Sequence, residues 1–205
     1  FEIEKKECDI DLKKGDSKLL IAASTHKGEE EIVVRTYKKL KEKVSNLKLL
    51  LAPRHLTRVE SVVKILNNNS LNFGYRTKND DFSTKDVLLL DTLGELSKTY
   101  KLCDIAFIGG SFNKTGGHNP LEAAIFSKPT VSGPCIKNFR DIYSILENDG
   151  ASFVVKNEKE LYNTLEKLFL DEAFYSNSQQ NCKKCFSNQQ GALKFVVNEL
   201  KKIIN

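Results

Sequence analysis

The chain has 205 residues, 40% of them hydrophobic and 29% charged, a balance that suits one sizeable core and excludes a wholly disordered segment. No apolar run approaches the roughly 18 residues of a membrane-spanning helix and no charged-then-apolar leader opens it, so the chain is expected to be soluble as given. The formal charge of +5 rests mostly on Lys and reads as a solvated surface; without aromatics interleaved with Arg, no nucleic-acid partner is expected.

Residues 1–17 carry neither an initiator Met nor a targeting pattern and read as a lead-in to a domain taken from a longer protein. From Lys18 onward, apolar bursts of strand length alternate with amphipathic stretches of helix length. "KLLIAA" leads to a helix near Gly28 to Lys43, "LKLLLA" to one near Leu56 to Asn67, and "DVLLLD" to a short one near Glu95 to Cys103. A weaker strand is expected around Leu71 to Arg76. "DIAFIGG" then leads to a helix at Pro120 to Phe126, "KPTVSG" to Phe139 to Glu147, and "ASFVVK" to Glu158 to Phe169. Bursts without strict alternation suit strands buried on both faces, and the βα order predicts an α/β, Rossmann-like parallel sheet with helices on either side. After Asp171 the pattern is helical only, so 1–205 reads as a single domain with a helical tail at 171–205.

The five cysteines are odd in number and scattered, which fits a reducing compartment better than a disulfide framework. Cys182 and Cys185 have ligand-like spacing, but no second pair or nearby His completes a tetrahedral metal site. They read as two half-buried helix positions, and no metal or cofactor is expected.

The unusual residues fall just beyond the carboxyl ends of the predicted strands. "STHKGEE" follows the first, "PRH" the second, "DTLGEL" the fourth, "GGSFNKTGGHNPLE" the fifth and "SGP" the sixth. Open parallel sheets bind ligands along that edge, where loops converge and helix N-termini aim amides into the crevice. Gly109 and Gly110 allow close backbone approach, and successive free amides there would form a nest for phosphate or carboxylate oxygens. Asn119 suits an N-cap, Pro120 the first helical position and Glu122 the third. Capping alone, with Glu122 returning to the Asn119 amide, leaves Gly116, Gly117 and His118 unexplained, which favours a ligand. A carboxylate beside an anion site suits sugar hydroxyls, so phosphate at the glycines and ribose at Glu122 point to a nucleotide.

The other loops add groups of the same kind. Ser24 or Thr25 can cap the first helix, with Glu29, Glu30 and Glu31 complementing its dipole, which leaves His26 surplus. Arg54 offers a planar fork for phosphate or carboxylate, or else a surface ion pair. Gly94 permits backbone contact with a flat base, or else marks a tight turn capped by Asp91 or Thr92.

"AASTHKGEE", "LLAPRH", "DTLGEL", "AFIGGS", "GGHNPLEAA" and "SGP", in this order, resemble the C-terminal half of the bacterial transferases of 3-deoxy-D-manno-oct-2-ulosonic acid (Kdo). The resemblance runs from about Leu19 to Leu165. It implies a two-domain GT-B glycosyltransferase whose second half binds the donor CMP-Kdo and passes Kdo to a lipid A precursor, lipid IVA, in lipopolysaccharide biosynthesis. By matching motifs, Arg54 would meet donor phosphate or sugar carboxylate, and Leu93, Gly94 and Glu95 the cytosine. Gly109, Gly110 and Ser111 would line the phosphate side, with Asn119 and Glu122 at the ribose and sugar. Ser24, Thr25, His26, His55, Gly117 and His118 lie inside the same motifs and complete the donor-binding set.

The resemblance also implies that the catalytic base, the acceptor groove and the membrane anchor belong to an N-terminal half, at the cytoplasmic face of the inner membrane. No catalytic residue is then expected in this chain, which alone should transfer no sugar. Three positions depart from the family pattern: Leu93 where Met is common, Ala123 where Pro is, and Ser127 where Gly is frequent. Another GT-B enzyme, a UDP-sugar transferase or epimerase, would share the sheet and the ribose-binding Glu. A non-enzymatic dinucleotide domain would want G-x-G-x-x-G after the first strand, which "AASTHKGEE" is not.

Overall fold

The structure, a computed structural model, describes residues 10–188. Seven strands, β1 (Lys18–Thr25), β2 (Leu47–Pro53), β3 (Phe73–Tyr75), β4 (Val87–Leu89), β5 (Ile105–Ile108), β6 (Thr130–Ser132) and β7 (Ser152–Val154), form one sheet in the order β3-β4-β2-β1-β5-β6-β7. Every pairing is parallel. The apolar bursts are strands because both of their faces are covered. Leu20, Ala22, Leu49 and Leu51 turn to one core with Val33, Val34 and Leu40, while Leu19, Ile21, Ala23 and Leu50 turn to the other with Ile10, Leu12 and Tyr100. Burial on both faces removes the polar alternation of a half-exposed strand.

The helices are α1 (Glu29–Lys43), α2 (Val59–Asn68), α3 (Leu96–Thr99), α4 (Leu121–Ala124), α5 (Arg140–Asn148), α6 (Glu158–Leu170) and α7 (Glu172–Asn188). Two are shorter than the sequence predicts. The helix expected at Glu95 to Cys103 is the four residues of α3, and the one expected at Pro120 to Phe126 is the four of α4. Beyond α4 the chain reaches the left-handed region at Ser127, φ 59, whose amide donates to Ala124 O at 2.8 Å, and this closes the turn ahead of Pro129. A β-carbon is strained there. Ser127→Gly is expected to stabilise the fold by about 0.5–1 kcal/mol, the left-handed penalty less the greater unfolded-state freedom of Gly. Thermal denaturation should show a midpoint about 2 °C higher; a lower midpoint would mean that the hydroxyl contributes more than the strain costs.

The lead-in joins the domain through buried Ile10 and Leu12, and Leu12 O accepts from the Phe82 amide at 2.9 Å. The predicted tail begins as α7, which packs against α5 and α6. Cys182 and Cys185 lie buried there beside Leu146 and Ala151, and burial pushes both thiols up to about 12. The remainder of the tail, from residue 189, lies outside the described residues. Among the described residues no helix is long and apolar enough to cross a membrane. On the two outer strands, the Tyr75 amide of β3 donates to the Asp80 carboxylate at 2.9 Å, and the Val154 amide of β7 to the Glu147 carboxylate at 3.1 Å.

Candidate functional site

The strand order reverses between β1 and β5: from β1 the chain builds outward through β2 to β3, then returns to lay β5, β6 and β7 on the other side. The loops leaving β1 and β5 therefore flank one crevice, the position at which open parallel sheets hold ligands. Close strand approach shapes its floor. The β1 register skips between Ala23 and Thr25, with Ser24 left-handed at φ 52. A β-carbon on Gly109 would sit 2.5 Å from Ser24 O, so Gly109 is a glycine for packing rather than for approach to a ligand.

The nest expected to await an anion is filled by one of the chain's own. The Glu29 carboxylate, buried at the start of α1, accepts from Gly110 N at 2.7 Å, Ser111 N at 2.8 Å and Phe112 N at 2.8 Å, and from His26 N at 2.9 Å. Glu29 thus ties the β1 loop to the β5 loop. Ser111 is equally committed: its hydroxyl donates to Ile108 O at 2.7 Å and accepts from Gly133 N at 2.8 Å. Gly110, at φ 69, takes Gly117 N on its carbonyl at 2.7 Å, and Gly109 O takes His118 N at 3.2 Å. Gly109, Gly110, Ser111 and Gly117 build the loop, and their amides are bonded within the fold rather than forming the free cradle that the sequence suggests.

The loop so built projects His118 at His26. Their Nε2 atoms are 2.9 Å apart, with the rings inclined by 10° and their centroids separated by 5.1 Å. The His55 ring stands edge-on to His26 at 5.6 Å. Arg54 and His55 are exposed at the end of β2, and the Arg54 amide holds the edge by donating to Thr25 O at 2.9 Å. The Arg54 guanidinium makes no ion pair with a described residue, so the surface-pair alternative is not realised among them.

Electrostatics around these groups follow from burial and from Arg54. Burial, with His26, Arg54 and His55 adding positive charge nearby, lowers His118 to about 4. His26 is lowered as well, by burial first; Glu29 opposes this, and His55, Arg54 and Arg58 reinforce it. Glu122 is raised by burial, with Arg54 pulling the other way. Its carboxylate does not return to the Asn119 amide. Asn119 Oδ1 instead accepts from Leu121 N at 3.0 Å, and Pro120 occupies the N-cap position. Glu122 is therefore a partly buried carboxylate without a capping duty, near enough to Arg54 to feel its charge.

Other expectations are redistributed. Neither Ser24 nor Thr25 caps α1, whose N-cap is Gly28 at φ 91; Thr25 Oγ1 donates to Glu30 at 3.3 Å, and Arg58 clamps buried Glu30 with contacts of 2.9 and 3.1 Å. The Glu29–Glu31 run is thus more than a complement to the helix dipole. Asp91 binds the Thr77 amide at 2.9 Å rather than capping α3. Glu95 takes Thr92 and a two-pronged contact from Arg76 at 3.2 Å. Burial would raise Glu95, and the Thr92 and Arg76 hydrogen bonds outweigh it and hold it low. Between these anchors Leu93 projects 77% exposed, and Gly94, at φ 76, has open space around it.

The structure thus brings His26, Arg54, His55, His118 and Glu122 together, suspends Leu93 and Gly94 on the same carboxyl edge, and makes Glu29, Glu30, Arg58 and Arg76 the supports that the sequence alone did not reveal. The signal for Glu29 was three successive carboxylates, more than a helix start requires.

No protein-family model matches the chain. Curated proteins do. A 3-deoxy-D-manno-octulosonic acid transferase of Aquifex aeolicus is 38% identical over 149 residues, covering 73% of this chain and 41% of its own length. That of Rickettsia prowazekii is 34% identical over 189 residues, 92% of this chain and 39% of its own length. The chain spans about two-fifths of the length of these relatives. Among solved structures, the C-terminal CMP-Kdo binding domain of WaaA from Acinetobacter baumannii superposes with a TM-score of 0.78 at 27% identity, covering 86% of this chain and 92% of that one.

Proposed function

Over the stretch it spans, the chain belongs to the 3-deoxy-D-manno-octulosonic acid transferase family of glycosyltransferases, with the sheet of a GT-B C-terminal domain, and from that premise we propose that it is the part that holds the donor, CMP-Kdo. The observation that carries this reading is the convergence of His26, Arg54, His55, His118 and Glu122 at the switch between β1 and β5. A fork, imidazoles and one carboxylate suit a ligand with an anionic part and a hydroxyl-bearing part.

In this reading Arg54 meets the phosphate or the sugar carboxylate, and Glu122 accepts from ribose or sugar hydroxyls. Leu93 and Gly94 lie against the base, and Glu29 holds the β1 and β5 loops in place without touching the ligand. The transfer joins an acceptor hydroxyl oxygen to the anomeric carbon of Kdo and breaks the bond from that carbon to the phosphate oxygen. The hydroxyl proton goes to a base and CMP departs with the bonding pair. This chain supplies the second half of that exchange, stabilising the departing phosphate through Arg54 and its neighbours. The proposed acceptor is a lipid A precursor at the inner membrane, as in lipopolysaccharide biosynthesis.

Titrating CMP into the chain while following backbone amides tests the reading: perturbations should cluster at Leu93 to Glu95 and at His26, Arg54 and His118. Perturbations centred on Cys182 and Cys185 would place the site elsewhere, and preference for UDP over CMP would favour a different GT-B activity. Glu122→Gln should weaken CMP binding by about 1–3 kcal/mol, the range for a hydrogen bond to a charged group. Because Glu122 caps nothing, its melting temperature should not fall; unchanged affinity would remove Glu122 from the site.

A further inference from the structure

We propose that the His26–His118 pair selects for an anionic ligand by taking up one proton as that ligand binds. The proposal rests on the donor-binding reading and adds to it the charge state of two residues. Its basis is the in-line contact between the two Nε2 atoms, 2.9 Å apart with nearly coplanar rings. Such a contact holds one N–H. With both rings neutral, one ring carries its proton on Nε2 and donates, and the other carries its proton on Nδ1 and accepts. One added proton goes to the free Nδ1 of the donor ring, leaving the contact intact and charge-assisted. A second would set two N–H groups head to head, so the pair accommodates one charge and no more.

The surroundings decide when that charge is present. His26 faces Glu29 of α1, Arg54 and His55 at the end of β2, and Arg58 ahead of α2. His118 faces Arg54 and His55, and its carbonyl accepts from the Tyr143 hydroxyl of α5 at 3.3 Å. The Glu29 carboxylate is committed to four N–H groups and Arg58 to Glu30, so the uncommitted charge beside the pair is that of Arg54. Burial and that cation disfavour the charged form of both rings in the free chain. An anion against Arg54 reverses the local field and favours imidazolium. A ligand without the anion, such as cytidine, leaves the pair as it is.

The sign follows. A group protonated more readily in the complex than in the free chain is taken up with the ligand, so affinity rises as pH falls from about 8 toward 7, a range in which a phosphate monoester with a second pKa of about 6 keeps its charge. Calorimetric titration of CMP into the 205-residue chain at about pH 7.2, in buffers of differing ionisation enthalpy, reads the proton count as the slope of observed heat against buffer enthalpy. Uptake of between one-half and one proton is expected with CMP, and none with cytidine. Saturable CMP binding with a slope of zero, or with proton release, overturns the proposal and leaves the donor-binding reading standing; no saturable CMP binding overturns both. His118→Gln keeps a hydrogen-bonding partner for His26 but cannot be charged, and its uptake should fall below a quarter of a proton. Undiminished uptake in that variant would place the proton elsewhere and overturn the assignment. The wild-type slope decides the matter if the variant fails to fold.

Discussion

Glu29→Ala is expected to destabilise the fold by about 3–5 kcal/mol, the cost of leaving several buried donors without an acceptor. Four N–H groups from two loops lose their partner at once, and among the described residues the amides of Gly110, Ser111 and Phe112 have no second acceptor. Glu29→Gln should lose less, because one amide oxygen remains, though its NH2 group then faces donors. For a chain of this size the alanine variant should melt about 10 °C lower, at roughly 2–4 °C per kcal/mol. A loss under about 1 kcal/mol would mean that the amides are content with water, and the expectation of a ligand in that nest would return.

Arg54→Ala is expected to weaken CMP binding about 10- to 100-fold, or roughly 1.4–2.8 kcal/mol, with little change in stability because the side chain is exposed and pairs with no described residue. Arg54→Lys should fall between, keeping the charge but losing the fork. Removing Arg54 also removes what restrains Glu122 from a still higher pKa, so in acid solution, below the range of about pH 7 to 8 in which the histidine pair responds, the residual binding should weaken further as Glu122 takes up a proton. Equal affinity in wild type and variant would mean that the cation is a spectator and that the phosphate binds elsewhere.

Strand placement was legible because central parallel strands bury both faces: "LKLLLA" and "DIAFIGG" have no other reading in an alternating chain. The carboxyl-edge location followed from where the polar loops fell. What was not legible was which anion the Gly110–Phe112 amides would meet, since a run of free amides next to a glutamate is compatible with an internal or an external partner, and only the fold sets Glu29 against them. The same holds for Glu95, whose partner Arg76 lies 19 residues away on the exit of another strand. The lengths of α3 and α4 were overestimated because the apolar pattern runs on through residues that form turns rather than helix, Tyr100 to Leu102 after α3 and Ile125 to Ser127 after α4. His26 was marked as surplus to capping, but its pairing with His118, 92 positions later, is a property of the reversed strand order alone.

The carboxylates of Asp80 and Glu147 bear on how the molecule behaves in a crowded solution. A sheet that ends in bare strands offers its unpaired amides to any other chain, and lateral growth from such edges is a route to aggregates. Here an amide on each border strand, Tyr75 and Val154, is already held by a side chain from the following turn or the preceding helix. An incoming strand would have to displace a charged acceptor at either border before it could add to the sheet. Replacing both carboxylates, as in Asp80→Ala together with Glu147→Ala, removes both guards, so association by sheet extension should begin at these margins rather than at the ligand edge.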